Sequence, residues 1–481
     1  MSRIRAPALA ATLALAVAGC ASVSPQSAAP SAADVPAAWS DSGSPATARA
    51  TALAQWWSRF DDPLLGTLVA RALEANTGVR GAQAALRQAR ALRDVTAATL
   101  LPAVGASASA QHSTAGSDSS SNSYKAGLDA SWEPDVFGGN RSALGASEAN
   151  ARASAASLGD VQVSLAAEVA LDYIALRGAQ SRLAIANDNL EGQLEILQIT
   201  QWRLQAGLVT SLEAEQARSG TEQTRAQLPA LQISVEQARH ALAVLTGQPP
   251  AALATVLGEA RPVPQPPDDL ALGFPAETLR QRPDVRAAEH QVVAAAARVD
   301  QAEAARLPSF KLSGSLGLAA LTLGSLTSGS SVVSALLAGV TMPIFDGGAA
   351  VAQVRAQEAA LEQAQAAYEA IVLTALKDVE DALAALRGDR ERLLHLRNAA
   401  EAAGNAALLA RHRFSSGLVD FQVVLDTQRT QLNTQDGVAS ASADLSADHV
   451  RLYKALGGGW IPDEADATRA PLEDPLRTSP S

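Results

Sequence analysis

Two helical seams of one period, 210 residues apart, constrain this chain more than any other feature. Val169, Leu176, Leu183, Leu190, Leu197 and Leu204 fall at every seventh position, and Val379, Leu386, Leu393, Ala400 and Ala407 repeat that row in the second half. A seven-residue repeat keeps one helix face against a partner when the helices supercoil. No proline lies between Gly139 and Pro229, or between Pro343 and Pro462. A helix from about Ala146 to Ala206 would be on the order of 90 Å long at about 1.5 Å per residue. That length suits crossing a compartment better than filling a soluble domain. Taken alone, the seams also fit a coiled-coil scaffold with no channel.

The duplication extends well beyond the seams. Leu101-Pro102 returns as Leu307-Pro308, 206 residues on. Pro134-Asp135-Val136-Phe137-Gly138-Gly139 returns as Pro343-Ile344-Phe345-Asp346-Gly347-Gly348, 209 residues on. Arg203-Leu204-Gln205-Ala206-Gly207-Leu208-Val209 returns as Arg413-Phe414-Ser415-Ser416-Gly417-Leu418-Val419, and Leu245-Thr246-Gly247 as Ala455-Leu456-Gly457, both 210 on. The Pro-rich stretch Arg261 to Asp269 divides the copies. The expected organisation is a first repeat over 51–260, a linker over 261–282, a second repeat over 283–460 and a flexible tail over 461–481.

Each copy also carries a pair of alternating stretches. Val104, Ala106, Ala108 and Ala110 alternate with Gly105, Ser107, Ser109 and Gln111. Tyr124, Ala126, Leu128, Ala130 and Trp132 alternate with Lys125, Gly127, Asp129, Ser131 and Glu133. Phe310, Leu312, Leu316 and Leu318 alternate in the same way, and Val333 to Ile344 does so less cleanly. Alternation over about ten residues is the pattern of a membrane β-barrel strand. A half-buried soluble sheet alternates too. The polar joints Ser113 to Ser123 and Thr322 to Ser331 read as extracellular loops, giving one hairpin per copy, about 101–136 and about 309–345. Four strands cannot close a barrel, and an open strand edge is not tolerated in lipid. Closure therefore requires several chains, and three would give about twelve strands around an aqueous lumen.

The N-terminus carries an address. Arg3 and Arg5 precede the apolar run Ala8 to Ala18, then Gly19 and Cys20, the only cysteine. That is a secretory signal over 1–19, too short to be retained as a spanning helix. Val17-Ala18-Gly19-Cys20 resembles a bacterial lipobox, which implies S-diacylglycerol and an N-acyl chain, usually palmitate, on Cys20. More than one acyl chain is what makes such an anchor stable. Ala21 after the cysteine, rather than Asp, favours the outer membrane. Residues 20–50 are rich in Ser, Ala and Pro, as expected of a flexible tether. The net charge of −11 argues against a nucleic-acid partner.

Several motifs together carry a family resemblance over nearly the whole mature chain. They are Trp56-Trp57 with Phe60-Asp61-Asp62-Pro63-Leu64, Trp132-Glu133-Pro134-Asp135-Val136-Phe137-Gly138, Arg282-Pro283-Asp284-Val285, Pro343-Ile344-Phe345-Asp346-Gly347-Gly348 and Ala455-Leu456-Gly457-Gly458-Gly459-Trp460. The chain resembles the outer membrane efflux proteins, the TolC-type ducts of tripartite pumps, in their acylated NodT-like branch. The fold class implied mixes long α-helices with a membrane β-barrel, as a homotrimeric α/β barrel with four strands and long coiled helices per protomer. The implied partners are a periplasmic membrane-fusion adaptor and an inner-membrane pump of the resistance-nodulation-division class. On the same resemblance, Arg203, Gly207, Leu208, Val209, Arg413, Gly417, Leu418 and Val419 form the helix–turn–helix tips that meet the adaptor. The glycines would serve a reversing helix without any partner.

Related acylated channels line their periplasmic constriction with an apolar residue, an aspartate four positions on and an arginine three beyond. Here Gln422, Asp426 and Arg429 hold those places, so Gln422 departs from the pattern. Three Asp426 carboxylates would make an acidic ring. Asp426 and Arg429 could equally be a solvated i, i+3 ion pair. No nucleophile, phosphate-loop or zinc motif occurs, the six histidines show no ligand spacing, and neither an enzyme nor a cofactor or metal site is expected. Two other readings stand beside the efflux duct: a type I protein-secretion duct, and a structural periplasmic coiled-coil lipoprotein.

Overall fold

A computed structural model describes Val35, Pro36, Trp39 and residues 53–115, 119–267 and 279–460. The signal peptide, nearly all of the tether, the tail and part of the linker lie outside the described residues. The two copies fold into matching series of elements. The first gives α1 (Pro63–Ala75), α2 (Thr77–Ala98), β1 (Ala103–Ala115), β2 (Ser119–Trp132), α3 (Gly139–Gln205) and α4 (Ser211–Leu245). The second gives α5 (Pro283–Ala304), β3 (Ser309–Ala320), β4 (Val332–Thr341), α6 (Ala349–Ser415) and α7 (Phe421–Ala455). The helix lengths agree residue for residue: 22 in α2 and α5, 67 in α3 and α6, 35 in α4 and α7.

The recurring Pro/Asp/Gly motifs start the long helices. Asp135 accepts from the amides of Asn140 (3.1 Å) and Arg141 (2.9 Å), and Asp346 accepts from those of Gly348 and Ala350 (both 2.8 Å). These carboxylates satisfy amides that have no partner inside the helix. Helix α3 accordingly begins at Gly139, earlier than its apolar seam suggests.

The chain forms two compact units, and neither coincides with a repeat. Of the described residues, one unit gathers those within 85–154 and 287–369, the other those within 33–84, 155–286 and 370–460. The first holds the sheet. The second holds the main core, where Trp56 stacks on Tyr453 (centroids 5.1 Å apart) among Phe60, Leu65, Val169, Tyr173, Leu176, Leu242, Val379, Leu386 and Leu393. The second seam is buried from Val379 to Leu393, as its spacing predicts. The first departs from expectation toward its end, where Leu183, Leu190 and Leu197 are only half-buried. The buried row there is Ala186, Gln193 and Thr200, three positions on. The leucines flank this row instead of forming it.

Buried arginines tie this unit together. Arg177 donates to Gln180 Oε1 (2.7 Å), to the Glu259 carbonyl (2.7 Å) and to the Tyr173 hydroxyl (3.0 Å). Tyr173 in turn donates to Asp62 (2.6 Å), the N-cap of α1. Burial, with Asp62 adding to it, pushes the Tyr173 phenol up to about 12. Arg282 clamps Asp284 (2.6 and 3.0 Å) and donates to the Ala455 carbonyl at the end of α7 (3.1 Å). Its counterpart 206 residues earlier, Asn76, donates to the Leu245 carbonyl at the end of α4 (2.9 Å). Different chemistry at equivalent places closes the returning helix of each copy.

Asp448 of α7 is 1% exposed, bonded to Arg451 and facing Asp389 of α6. Burial pushes its carboxyl up to about 6, with Arg451 opposing the rise and Asp389 adding to it. The folded state thus holds a proton that the unfolded chain releases near the ordinary aspartate value of 3.8. This contribution to stability is complete below that value and is lost as pH rises through about 6. Asp448→Asn should flatten the fall in unfolding temperature between pH 4 and 7; an unchanged slope in a thermal melt series would refute this.

Candidate functional site

Four antiparallel strands form one sheet in the order β1-β2-β3-β4. The hairpins of the two copies join through β2 and β3, with Leu128 opposite Leu316 and Ala126 opposite Leu318. At that join Gly127 faces Gly317, and a Cβ on Gly317 would lie 2.7 Å from the Ala126 carbonyl oxygen. The alternation resolves into two faces. One aligns Ala106, Leu128 and Leu316 across three strands, and adds Leu336 and Val340 on β4. Leu316 is 58% exposed and Leu336 79%, so this apolar band has no cover among the described residues. The other face carries Ser107, Lys125, Asp129, Lys311 and Ser315, and Ser107 donates to Asp129 (2.7 Å). Leu337 of β4 falls on this polar face opposite Ser313, which is why its pattern is less clean.

Among the described residues, the outer edges of β1 and β4 have no strand partner. The first joint is shorter than its polar composition suggests. Ser113 pairs with Ser121 and Thr114 with Ser120, so the ladder runs through residues expected in a loop. Serine and threonine can continue a ladder when a partner strand is aligned. The second joint is a loop with two short 3-10 turns, Leu323–Ser325 and Gly329–Ser331. No described helix is long and apolar enough to cross a membrane.

The tips of the long helices reverse through identical caps. Leu208 N–H donates to the Arg203 carbonyl (2.8 Å) and Gly207 N–H to that of Leu204 (3.0 Å), while Leu418 and Gly417 repeat both bonds to Arg413 and Phe414 at the same lengths. Gly207 and Gly417 sit at φ of 67° and 74°, the left-handed geometry this cap requires. Leu208 and Leu418 then project into solvent, 73% and 74% exposed. Val209 and Val419 are half-buried. Ile196, Ala217, Phe414, Phe421, Val424 and Leu425 form a small apolar cluster beneath the turns.

Gln422, Asp426 and Arg429 all lie on the exposed side of α7, opposite the buried Phe421, Val424 and Leu425. Gln422 donates to Asp426 (3.0 Å), one helical turn apart. Among the described residues Arg429 makes no ion pair with that carboxylate. It borders instead a cleft of about 180 Å³ with Gln193, Gln428 and Leu432. The helix thus brings together two of the three residues singled out. Cys20 lies outside the described residues. Motif reading missed what Arg203 and Arg282 do within the chain, although the 206-residue offset pairs Arg282 with Asn76.

The sequence matches the outer membrane efflux protein family over residues 68–248 and 274–458. It is 34% identical over 443 residues to the pyoverdine export outer membrane protein OpmQ of Pseudomonas putida, covering 89% of this chain and 93% of that one. Identity to the outer membrane protein OprJ of Pseudomonas aeruginosa is 32% over 437 residues, covering 89% and 91%. The fold is similar to that of the outer-membrane channel OprN, with a TM-score of 0.82, 37% identity and coverage of 89% and 99%. Arginine at the middle of a lipid-facing strand costs about 2–4 kcal/mol. Leu316→Arg should therefore lower the yield of insertion into lipid vesicles well below that of Ser315→Arg on the opposite face; equal insertion of both would contradict the assignment of faces.

Proposed function

The chain belongs to the outer membrane efflux protein family, and on that basis we propose that it serves as a homotrimeric, lipid-anchored exit duct of a tripartite pump. It is an outer-membrane efflux component with the TolC-type combination of long helices and barrel strands. The observation that most supports the trimer is the four-stranded sheet with an exposed apolar face and, among the described residues, two edges without a strand partner. Unpaired backbone groups cost several kcal/mol each in hydrocarbon, so each free edge needs a strand from another chain. Three chains give about twelve strands, enough to enclose a water-filled lumen. The polar face, with Lys125, Asp129 and Lys311, would then line that lumen.

The partners are a periplasmic adaptor and an inner-membrane pump of the resistance-nodulation-division class. The adaptor docks on the tips at Arg203, Gly207, Leu208, Val209, Arg413, Gly417, Leu418 and Val419, where two exposed leucines offer matched apolar anchors. The duct is passive, because the driving energy belongs to the pump. Diacylglycerol and an N-acyl chain on Cys20 hold the N-terminus in the outer membrane. Metabolic labelling with a palmitate analogue should mark the wild-type protein and not Cys20→Ala; equal labelling would exclude this anchor.

Gln422, Asp426 and Arg429 form the periplasmic constriction. In the trimer three Asp426 carboxylates make a ring that attracts cations. Gln422 supports each carboxylate by the observed hydrogen bond, in a place where related channels have an apolar residue. In planar bilayers Asp426→Ala should raise closed-state conductance and weaken cation preference; unchanged conductance would dismiss this gate. Deletion of the gene followed by a drug-susceptibility panel separates small-molecule efflux from polypeptide secretion.

A further inference from the structure

The two tip arginines occupy equivalent places in the repeat but have different surroundings. Arg203 reaches across to the second copy. Its Nη1 and Nη2 donate to the Phe414 carbonyl (both 3.4 Å), Nη2 donates to the Ser415 carbonyl (3.2 Å), and the guanidinium lies 4.4 Å from the Phe414 ring centroid. A positive charge is thus set on the last carbonyls of α6, the negative end of a long helix. Arg413, its counterpart 210 residues on, is exposed and has no partner among the described residues. The carbonyls equivalent to its would-be targets belong to Leu204 and Gln205 at the end of α3. No described side chain reaches them, and both residues are exposed.

A guanidinium without an acceptor at one tip, and helix-end carbonyls that no described side chain reaches at the other, are thus left over. The contact from copy one to copy two, repeated by the same rotation, runs from copy two to copy one of the next chain. Head-to-tail contacts of this kind close into a ring where the rotation closes, as in the trimer proposed above. We propose that Arg413 of each protomer caps the α3 helix of its neighbour, donating to the carbonyls of Leu204 and Gln205 of the partner subunit. This rests on the homotrimer reading. It assigns Arg413 an occupant within the assembly, a second copy of this chain, and makes the arginine a seam residue.

The two kinds of cap are unequal. Within the chain Arg203 sits on Phe414, whose ring packs against Phe421 at 5.5 Å. The corresponding positions in copy one are Leu204 and Ser211, so the cap between chains has no aromatic bed. The seam between protomers is therefore the weaker one, and the tips part there first.

Gln205→Cys combined with Arg413→Cys, in the full-length protein in outer membranes, tests this with a short bismaleimide. Covalent species up to the trimer are expected. The pair Arg203→Cys and Ser415→Cys should stay at monomer mass on a denaturing gel, and Arg413→Cys alone controls for Cys20. Trimers by native mass without cross-linked species would overturn the cap and leave the trimer standing; monomers by native mass would overturn both. Arg413→Ala should also lower the temperature at which detergent-resistant trimers dissociate, and Arg413→Lys, which keeps the charge but not the fork, should recover part of the loss. Dissociation of Arg413→Ala at the wild-type temperature would overturn the role of the guanidinium.

Discussion

An unpaired strand edge cannot face hydrocarbon, and the rest of this molecule depends on that. Each backbone amide and carbonyl must find a partner where water is absent. The chain supplies only four strands, so its sheet ends in two edges that no segment among the described residues covers. Duplication accounts for half of the solution, because the hairpin of each copy pairs with the other through the facing glycines Gly127 and Gly317. In the proposed trimer, copies of the chain supply the other half. The same logic recurs at the tips, where Arg203 makes one cap within the chain and the proposed equivalent from Arg413 needs a neighbour.

Much of this was legible because periodicity is a local property. The alternation from Tyr124 to Trp132 and from Phe310 to Leu318 foretold strands whose register places leucine against leucine. Landmark offsets foretold the matching helices, and the tip glycines adopt the left-handed geometry that their position at a reversal implies. The departures come from tertiary context. The seam through Leu183, Leu190 and Leu197 gives way to Ala186, Gln193 and Thr200, because which face is buried depends on the neighbouring helices and not on the apolar row alone. The serines of the first joint continue a ladder because a partner strand is aligned with them.

The candidate gate was legible only as a pattern of residue types along one helix. Spacing places Gln422, Asp426 and Arg429 on one side of α7, but it does not decide whether Asp426 turns to Arg429 or to Gln422. The helix settles that locally, in favour of the glutamine. The clamps at the helix ends were less legible still. Arg282 and Asn76 share a task but not a side-chain type, and only the conformation at the ends of α4 and α7 reveals that both close a returning helix.

The equality of helix lengths between the copies has a consequence for how such a chain can change. Helices α3 and α6 share 67 residues, and α4 and α7 share 35. One added residue in α3 alone would displace its turn by about 1.5 Å and rotate it by about 100°, carrying Arg203 away from Phe414. Matching insertions in α6 and in both returning helices would be needed to restore the contact. Length in this chain is therefore inherited as one quantity written in four places, and drift in any single place is held in check by the other three.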